Sequence, residues 1–414
     1  MLVVADDLTG ANDTSVSFAA VGYRTVLLMD ATTGADFDEV EVVAASTDSR
    51  PVGAVAQGLT TMAVSTAMGQ GVERLYVKID STMRGSVQYQ VEGAVRAWRI
   101  RYPDAVAVIC SAYPAMGRTI NDGILQVNGV DVDQTASGKD PVCPVTTPKM
   151  GELLPQAAVL TNPGDAAQLA EAIKATGSSQ VVVDAATQED LAVIAGAIDI
   201  IGPAAIPVGS AGLSKELTPF LPTPAGNAPV SPLPIKRRPL VVVSSIHETS
   251  QAQVDEYIGS AKGANAIVFS PHPAQLLAHA SLPFLQGQLR NLVQSGEGTV
   301  IIRANPAKVQ GAADREQLAR GFASQLADLA NDCLQRNRFG ALVLVGGDGA
   351  AATLQAIGAN QLTIIRQIAE GVPLGTVGNG EFNGLPIITK SGGFGGPDLL
   401  CNIMETLNEG EPQS

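Results

Sequence analysis

Histidine is almost absent from this chain. His247, His272 and His279 are the only three in 414 residues, and none stands in an H-E-x-x-H or comparable spacing. That argues against a histidine-built zinc site and against a Ser-His-Asp relay. Aromatic residues make up 4%, with one tryptophan, too few for a platform on which bases stack. Basic residues are outnumbered, 26 Lys and Arg against 40 Asp and Glu for a net charge of −14. A field of that sign repels polyphosphate backbones, which argues against nucleic acid as a partner. The four cysteines, Cys110, Cys143, Cys333 and Cys401, form no C-x-x-C pair, as expected of a reduced, cytoplasmic chain without a zinc cluster. No apolar run approaches the roughly 18 residues of a membrane span, and no basic segment, apolar core and cleavage site open the sequence. Membrane and secretory roles are therefore not expected.

What the chain does have is apolar residues, at 45%, with only 16% charged, the composition of well-buried globular domains. Its length exceeds what one compact core usually carries, so two domains are expected. Strand-like runs alternate with helix-like segments through the first half: Leu2–Ala5, Thr25–Met29, Val40–Ala44, Leu75–Ile79, Ala105–Cys110, Val181–Asp184 and Ile206–Val208. A helix is expected over Ser86–Arg101. Such alternation predicts an α/β fold with largely parallel sheets. Seven prolines between Pro219 and Pro239 then mark a semi-rigid linker, because no helix or interior strand tolerates that density. The β/α rhythm restarts at Leu240–Ser244 and continues through Ala266–Phe269, Thr299–Ile302, Ala341–Val345 and Pro386–Thr389. The expected organisation is a first domain over 1–218, a linker over 219–239 and a second domain over 240–414, with a ligand cleft between the two domains. Only five residues precede Asp6, so either the first strand is short or the start lies upstream.

Three motifs follow strand-like runs, where open α/β sheets bind ligands. Ala5-Asp6-Asp7-Leu8-Thr9-Gly10-Ala11-Asn12-Asp13 gathers acceptors around a turn that opens a helix. Carboxylates in that setting accept hydrogen bonds from a polyol; a helix cap alone would need only one of them. Lys78-Ile79-Asp80-Ser81-Thr82-Met83-Arg84-Gly85 puts Lys78 and Asp80 on one face of a strand and crowds Ser81, Thr82 and Arg84 onto its turn. Its lysine and arginine could clamp a carboxylate, or the run could be a solvated strand end with a Lys78–Asp80 ion pair. Thr47-Asp48-Ser49-Arg50 is weaker alone but sits at an equivalent strand end.

In the second domain Gly346-Gly347-Asp348-Gly349 leads into a helix-forming run, and Thr389-Lys390-Ser391-Gly392-Gly393-Phe394-Gly395-Gly396 adds a second glycine loop with a lysine. Glycines let a backbone approach closely, and free N–H groups at a helix start attract phosphate oxygens. Two such loops favour a nucleotide phosphate site over tight packing, although neither matches the Walker or dinucleotide fingerprint. Ser244-Ser245-Ile246-His247 ends the first strand of this domain; His247 reads as a polar helix-start residue rather than a proton shuttle. Gly209-Ser210-Ala211-Gly212-Leu213 is one more strand-end loop, expected to line the cleft.

At these residues the chain resembles the four-carbon acid sugar kinase family. The likeness runs through the motifs at Ala5, Lys78, Gly346 and Lys390 together with Tyr113-Pro-Ala-Met-Gly-Arg-Thr and Gly209-Ser-Ala-Gly-Leu, and covers nearly the whole chain. It implies an acid-sugar-binding first domain and an ATP-binding second one. On that footing Asp6, Asp7, Asn12, Asp13, Arg50 and the run Lys78, Asp80, Ser81, Thr82 and Arg84 would hold the acid. Ser245, His247, Gly346, Gly347, Asp348, Gly349, Lys390, Gly392, Gly393 and Gly395 would hold ATP with Mg²⁺, whose protein ligands the sequence leaves unknown. Asn12-Asp13-Thr14 is more similar to the threonate kinase branch than to the 3-oxo-tetronate branch, which tends to carry Thr-Asp there. Two positions depart from the family pattern: Ser244-Ser245-Ile246-His247 stands where Gly-Ser-x-Ser is usual, and Gly349 where threonine is usual.

The expected reaction is γ-phosphoryl transfer to the terminal hydroxyl of a four-carbon sugar acid, D-threonate first, with erythronate or 3-oxo-tetronate as alternatives. Arg50, Lys78 and Arg84 would anchor the acid's carboxylate. Asp348 is the first candidate to orient the attacking hydroxyl and Asp80 the second; either could instead hold Mg²⁺ or cap a helix. A nucleotide-dependent oxidoreductase is disfavoured by the missing dinucleotide fingerprint, and a non-catalytic sugar-acid sensor by the two glycine loops. The sequence leaves the oligomeric state open, a homodimer included.

Overall fold

The computed structural model describes residues 1–30, 40–140, 142–225, 237–277, 281–304 and 315–409. The chain divides into two compact units, Met1–Ala228 and Pro229–Ser414. The middle of the expected linker, 226–236, lies outside the described residues. Its first part packs on the N-terminal unit: Pro219 sits in a 3-10 turn, the Tyr23 hydroxyl donates to the Pro222 carbonyl, and the Ala225 N–H reaches Glu41 at 2.7 Å.

The N-terminal unit opens with β1 (Leu2–Ala5), α1 (Leu8–Ala19), β2 (Thr25–Leu28), β3 (Val42–Ser46), α2 (Val55–Gly69), β4 (Leu75–Lys78), α3 (Val87–Trp98) and β5 (Val106–Cys110). A hairpin excursion follows, β6 (Arg118–Asn121), β7 (Ile124–Val127) and β8 (Val130–Asp131). The unit closes with α4 (Met150–Leu153), β9 (Ala158–Leu160), α5 (Ala166–Ala175), β10 (Gln180–Val183), α6 (Gln188–Ile201), β11 (Ala205–Gly209) and α7 (Ala211–Leu217). Its main strands pair in the order β2-β3-β1-β4-β11-β5-β10-β9, all parallel. Every residue of β1 to β5, β10 and β11 is buried, as a parallel sheet covered on both faces by helices demands. From β1 the chain crosses one way through α1, and from β3 it crosses the other way through α2 to β4. Right-handed crossovers then put α1 and α3 on opposite faces, and the reversal falls between β1 and β4.

Two turns of the excursion, Asp122-Gly123 and Asn128-Gly129, have positive φ at both residues. That is the hairpin geometry whose twist matches the flanking strands, and such Asp-Gly and Asn-Gly pairs are its sequence signal.

The C-terminal unit comprises β12 (Leu240–Val243), α8 (Glu248–Gly259), β13 (Ile267–Phe269), α9 (Pro273–Leu277), α10 (Leu282–Gln294), β14 (Val300–Arg303), α11 (Arg315–Arg336), β15 (Leu342–Val345) and α12 (Gly347–Ala356). The strands β16 (Gln361–Ala369), β17 (Val372–Val377) and β18 (Pro386–Lys390) and the helix α13 (Leu399–Glu409) complete it. Its strands run β13-β14-β12-β15-β18-β17-β16; the first five are parallel, and β17 is antiparallel to both neighbours. The core sets Val241, Val343 and Ile388 of the sheet against Val254 and Tyr257 of α8 and Ile403 and Leu407 of α13. Here the order runs outward in both directions from β12 and β15. Among the described residues no helix is long and apolar enough to cross a membrane, and all four cysteines are free.

Candidate active site: two strand-end clusters

The acid-site residues expected from sequence come together at the carboxyl ends of β3, β1 and β4, adjacent parallel strands in register at Ala5, Ser46 and Lys78. Asp6 follows β1 directly and is buried. Asp7 caps α1, its carboxylate accepting the Gly10 N–H at 2.8 Å. Arg50 arrives from beyond β3 and binds Asp6 with two prongs, Nε to Oδ2 at 2.6 Å and Nη2 to Oδ1 at 3.1 Å. Its Nη1 lies 2.9 Å from Asp7, and its Nη2 3.7 Å from Asp80. From β4, Arg84 grips Asp80 in the same way, Nη2 to Oδ2 at 2.7 Å and Nε to Oδ1 at 3.2 Å, and reaches Asp140 at 3.1 Å through Nη1. The two turns that present these arginines hold non-glycine residues at positive φ, Asp48 at 46° and Met83 at 63°. Strained backbone of this kind persists where the surroundings over-determine it, and it clusters at functional sites.

Asp80 is fully engaged. Its Oδ1 also accepts the Thr82 N–H at 3.0 Å and the Thr82 hydroxyl. Burial would raise its pKa, but Arg84 and Arg50, helped by Thr82, outweigh it and hold the carboxyl well below the usual range. Thr82 is thus occupied with Asp80, while Ser81 stands half-buried on the same turn. Lys78 is buried at 6% exposure, its Nζ donating to the Ile79 carbonyl at 2.9 Å. Gly10 makes room for it: a Cβ there would stand 2.8 Å from that Nζ. Asn12 is buried on α1, and Asp13 is half-buried two residues before Ser15.

The arginines therefore meet carboxylates of the protein itself. Among the described residues Arg50 and Arg84 each use three of the five N–H donors of a guanidinium, which leaves two apiece for a ligand. Sequence reasoning missed two members of this cluster. Asp140 comes from a loop far along the chain that carries no local pattern, and its Oδ1 is fixed by the Val142 and Cys143 N–H groups at 2.9 Å each. Arg118 opens β6, donates to the Met116 carbonyl and has a buried Nε without a partner among the described residues. Burial lowers its pKa, with Asp80 acting against that and Arg84 adding to it, so its charge lies within reach of the Arg84–Asp80 pair. The Tyr113–Thr119 motif held the signal for it.

The nucleotide-loop residues gather separately, at the carboxyl ends of β12, β15 and β18, three adjacent parallel strands. The Ser244 and Ser245 N–H groups both donate to the Val345 carbonyl, at 3.0 and 3.2 Å. His247 caps α8, its Nδ1 accepting the Thr249 N–H at 3.1 Å, which agrees with a helix-start role. Gly346 adopts φ 113° and passes directly into α12, whose first turn has no side-chain cap and contains Asp348. Uncapped N–H groups at a helix start suit phosphate oxygens. The Lys390–Gly395 loop closes on the same place: a Cβ on Gly392 would fall 2.2 Å from Ser245 Oγ, and one on Gly393 3.3 Å from His247 Nε2. Gln253 ties the loop down through the Phe394, Gly395 and Gly396 carbonyls at 2.8–3.2 Å. Lys390 is buried at 3% exposure, its Nζ donating to the Ser391 carbonyl at 2.8 Å, and burial lowers its pKa to about 8.

Among the described residues no group of three or more His, Cys, Asp or Glu side chains is placed to hold a metal ion. Mg²⁺ seldom asks for one, since it keeps its waters and takes one or two carboxylates plus phosphate oxygens. Asp348 beside an uncapped glycine turn fits that donor set.

Comparison with known proteins matches residues 1–217 to the model of a sugar-binding N-terminal domain and residues 240–400 to that of a nucleotide-binding C-terminal domain. A D-threonate kinase of Bordetella bronchiseptica is 34% identical over 98% of this chain and 97% of its own length. A D-erythronate kinase of Heliobacterium modesticaldum is 28% identical over 98% and 97%. A solved Haemophilus influenzae structure, 22% identical, shares the fold with a TM-score of 0.75 over 98% of this chain and 100% of that one.

Proposed function

Because the chain belongs to the four-carbon acid sugar kinase family, we propose that it phosphorylates the terminal hydroxyl of D-threonate, giving 4-phospho-D-threonate. The observation that carries this reading is the packing of Asp6, Asp7, Arg50, Asp80 and Arg84 into one network at the β1–β4 reversal. Arginines lock the carboxylates as acceptors for sugar hydroxyls and keep spare N–H donors. Lys78 and those donors meet the acid's own carboxylate, with Asn12, Asp13 and Ser81 completing the polar wall.

In the C-terminal unit the N–H groups at Gly346–Gly349 and the Gly392–Gly395 loop receive the ATP phosphates beside Ser245 and His247, and Lys390 offsets their charge. Asp348 would hold Mg²⁺, which when bound neutralises charge on the phosphates undergoing transfer. The catalytic contribution of the chain is then positioning and electrostatics, since a loose phosphoryl transition state asks for little else. Cytoplasmic localisation is part of this reading. Homodimer formation is compatible with this reading.

ADP release measured with D-threonate, L-threonate, D-erythronate and 3-oxo-tetronate tests it. The expected result is the highest kcat/KM with D-threonate. A preference for D-erythronate or 3-oxo-tetronate would move the chain to another branch. Binding of an acid with no ADP release from any would replace the kinase with a sugar-acid sensor.

A further inference from the structure

One carboxylate of the acid site is not tied to a guanidinium. Asp6, Asp7 and Asp80 face Arg50, while Asp80 and Asp140 face Arg84. Asp13 makes no ion pair or hydrogen bond through its carboxylate among the described residues, and it is only half-buried. Its position follows from the helix. Gly10, Asp13 and Ser17 share one face of α1 at spacings of three and four. At one end of that face Gly10 abuts the Lys78 ammonium; at the other the Ser17 and Ser214 hydroxyls meet at 3.1 Å, beside Lys215 of α7. Asp13 therefore lies on that face between the contact with Lys78 and the contact with α7, and the charges of Lys78 and Lys215 both act on it.

We propose that Asp13 accepts the proton of the sugar-acid hydroxyl during phosphoryl transfer, an assignment that rests on the kinase reading above. The hydroxyl O–H bond breaks and its proton passes to an Asp13 Oδ. The oxygen bonds to the γ-phosphorus, and the bond from that phosphorus to the β,γ-bridging oxygen breaks, with its electron pair leaving on ADP. Asp13 then returns the proton to solvent.

The environments of the two aspartates separate their roles, as environments do in acid–base sites. Asp80 has both oxygens engaged and is held well below the usual range, which makes it a weak base. Burial raises Asp13, against the opposing charges of Lys78 on β4 and Lys215 on α7 and with a smaller contribution from Asp7 at the helix cap. The buried Tyr76 on β4 is the other titratable group coupled to it. A carboxylate moved toward the working pH is the better proton acceptor. Asp348, in the phosphate loop, is left to the metal and phosphates.

The experiment uses the full chain with Mg-ATP and its preferred four-carbon acid. Asp13→Asn should lower kcat by about 10²–10⁴-fold, the range of general-base catalysis, with both KM values within about threefold of wild type. It should also abolish the acidic limb of the kcat–pH profile, and Asp13→Glu should restore that limb with part of the rate. Asp13→Asn should melt no lower than wild type, because it removes a partly desolvated charge that folding disfavours above the folded pKa. A kcat within tenfold of wild type, or a loss confined to the acid KM, would overturn the assignment. If Asp13→Asn fails to fold, the profiles of wild type and Asp13→Glu decide: an acidic limb that shifts with Glu supports the proposal, and a flat wild-type profile refutes it. Absence of ADP release from wild type with every acid would instead remove the kinase reading itself.

Discussion

Replacing Gly349 with alanine tests how tightly the nucleotide half-site is built. A Cβ on Gly349 would lie 2.0 Å from Ser244 Oγ and 2.3 Å from Ser244 Cβ, where ordinary contact begins near 3.4 Å. Turning the Ser244 side chain can move Oγ but not Cβ, so the backbone after β12 or the first turn of α12 must shift. Ser244 is buried, and both its N–H and its hydroxyl donate to the Val345 carbonyl, at 3.0 and 3.2 Å, which resists that shift. Overpacking of this kind costs about 1–3 kcal/mol, and the better helix propensity of alanine returns up to about 1 kcal/mol. A net loss of about 1–2 kcal/mol lowers the melting of a unit of this size by about 2–8 °C. Ser244→Gly deletes both clashing atoms, so the double variant Ser244→Gly/Gly349→Ala should recover most of that loss. Calorimetry on the four proteins of the cycle, with KM for ATP alongside, measures the coupling. If Gly349→Ala melts like wild type, or if the double variant is no more stable than the single one, the steric account is wrong.

Three further outcomes follow from the charges. Arg84→Ala should raise the KM for the sugar acid by about 10–150-fold, the equivalent of a charge-assisted hydrogen bond of roughly 1.5–3 kcal/mol, and leave the KM for ATP within about threefold; equal effects on both would remove Arg84 from the acid site. Lys390 titrates near pH 8 in the folded chain against about 10.4 unfolded, so the folded state binds fewer protons across that window and stability should rise with pH between about 8 and 10. Lys390→Met should flatten that rise in a melting series. Phosphates beside Lys390 would draw its proton back, so ATP binding near pH 8.5 should take up a proton in calorimetry with two buffers of different ionisation heat; no uptake would separate Lys390 from the phosphates.

Much of the fold was legible because its signals are local. The continuous apolar runs of β1, β4, β5, β12 and β15 needed only their own composition to read as buried parallel strands. The prolines from 219 onward set the expectation of a linker without reference to any partner. The motif at Asp6, the run from Lys78 and both glycine loops could be placed at strand ends, because parallel sheets bind at their carboxyl edges. The hairpins at Asp122-Gly123 and Asn128-Gly129 were also readable from their turn residues, but the α/β rhythm around them masked the signal. So was Arg118, inside a motif noted only for its likeness.

Tertiary structure alone decided how the charges are shared. Strand order put Arg50 across from Asp6, Asp7 and Asp80, residues up to 44 positions away in the chain, and a distant loop delivered Asp140 to Arg84. A charged side chain takes its pKa from whatever packs within a few ångströms, and neighbours at that range belong to other elements. Which aspartate is locked and which is left available for a proton is therefore not a property of either segment. The sequence by itself determined the strands, the turns and the set of chemical groups; the packing of β3, β1, β4 and α7 determined their partners, because Coulomb and hydrogen-bond energies fall off with distance in space, not along the chain.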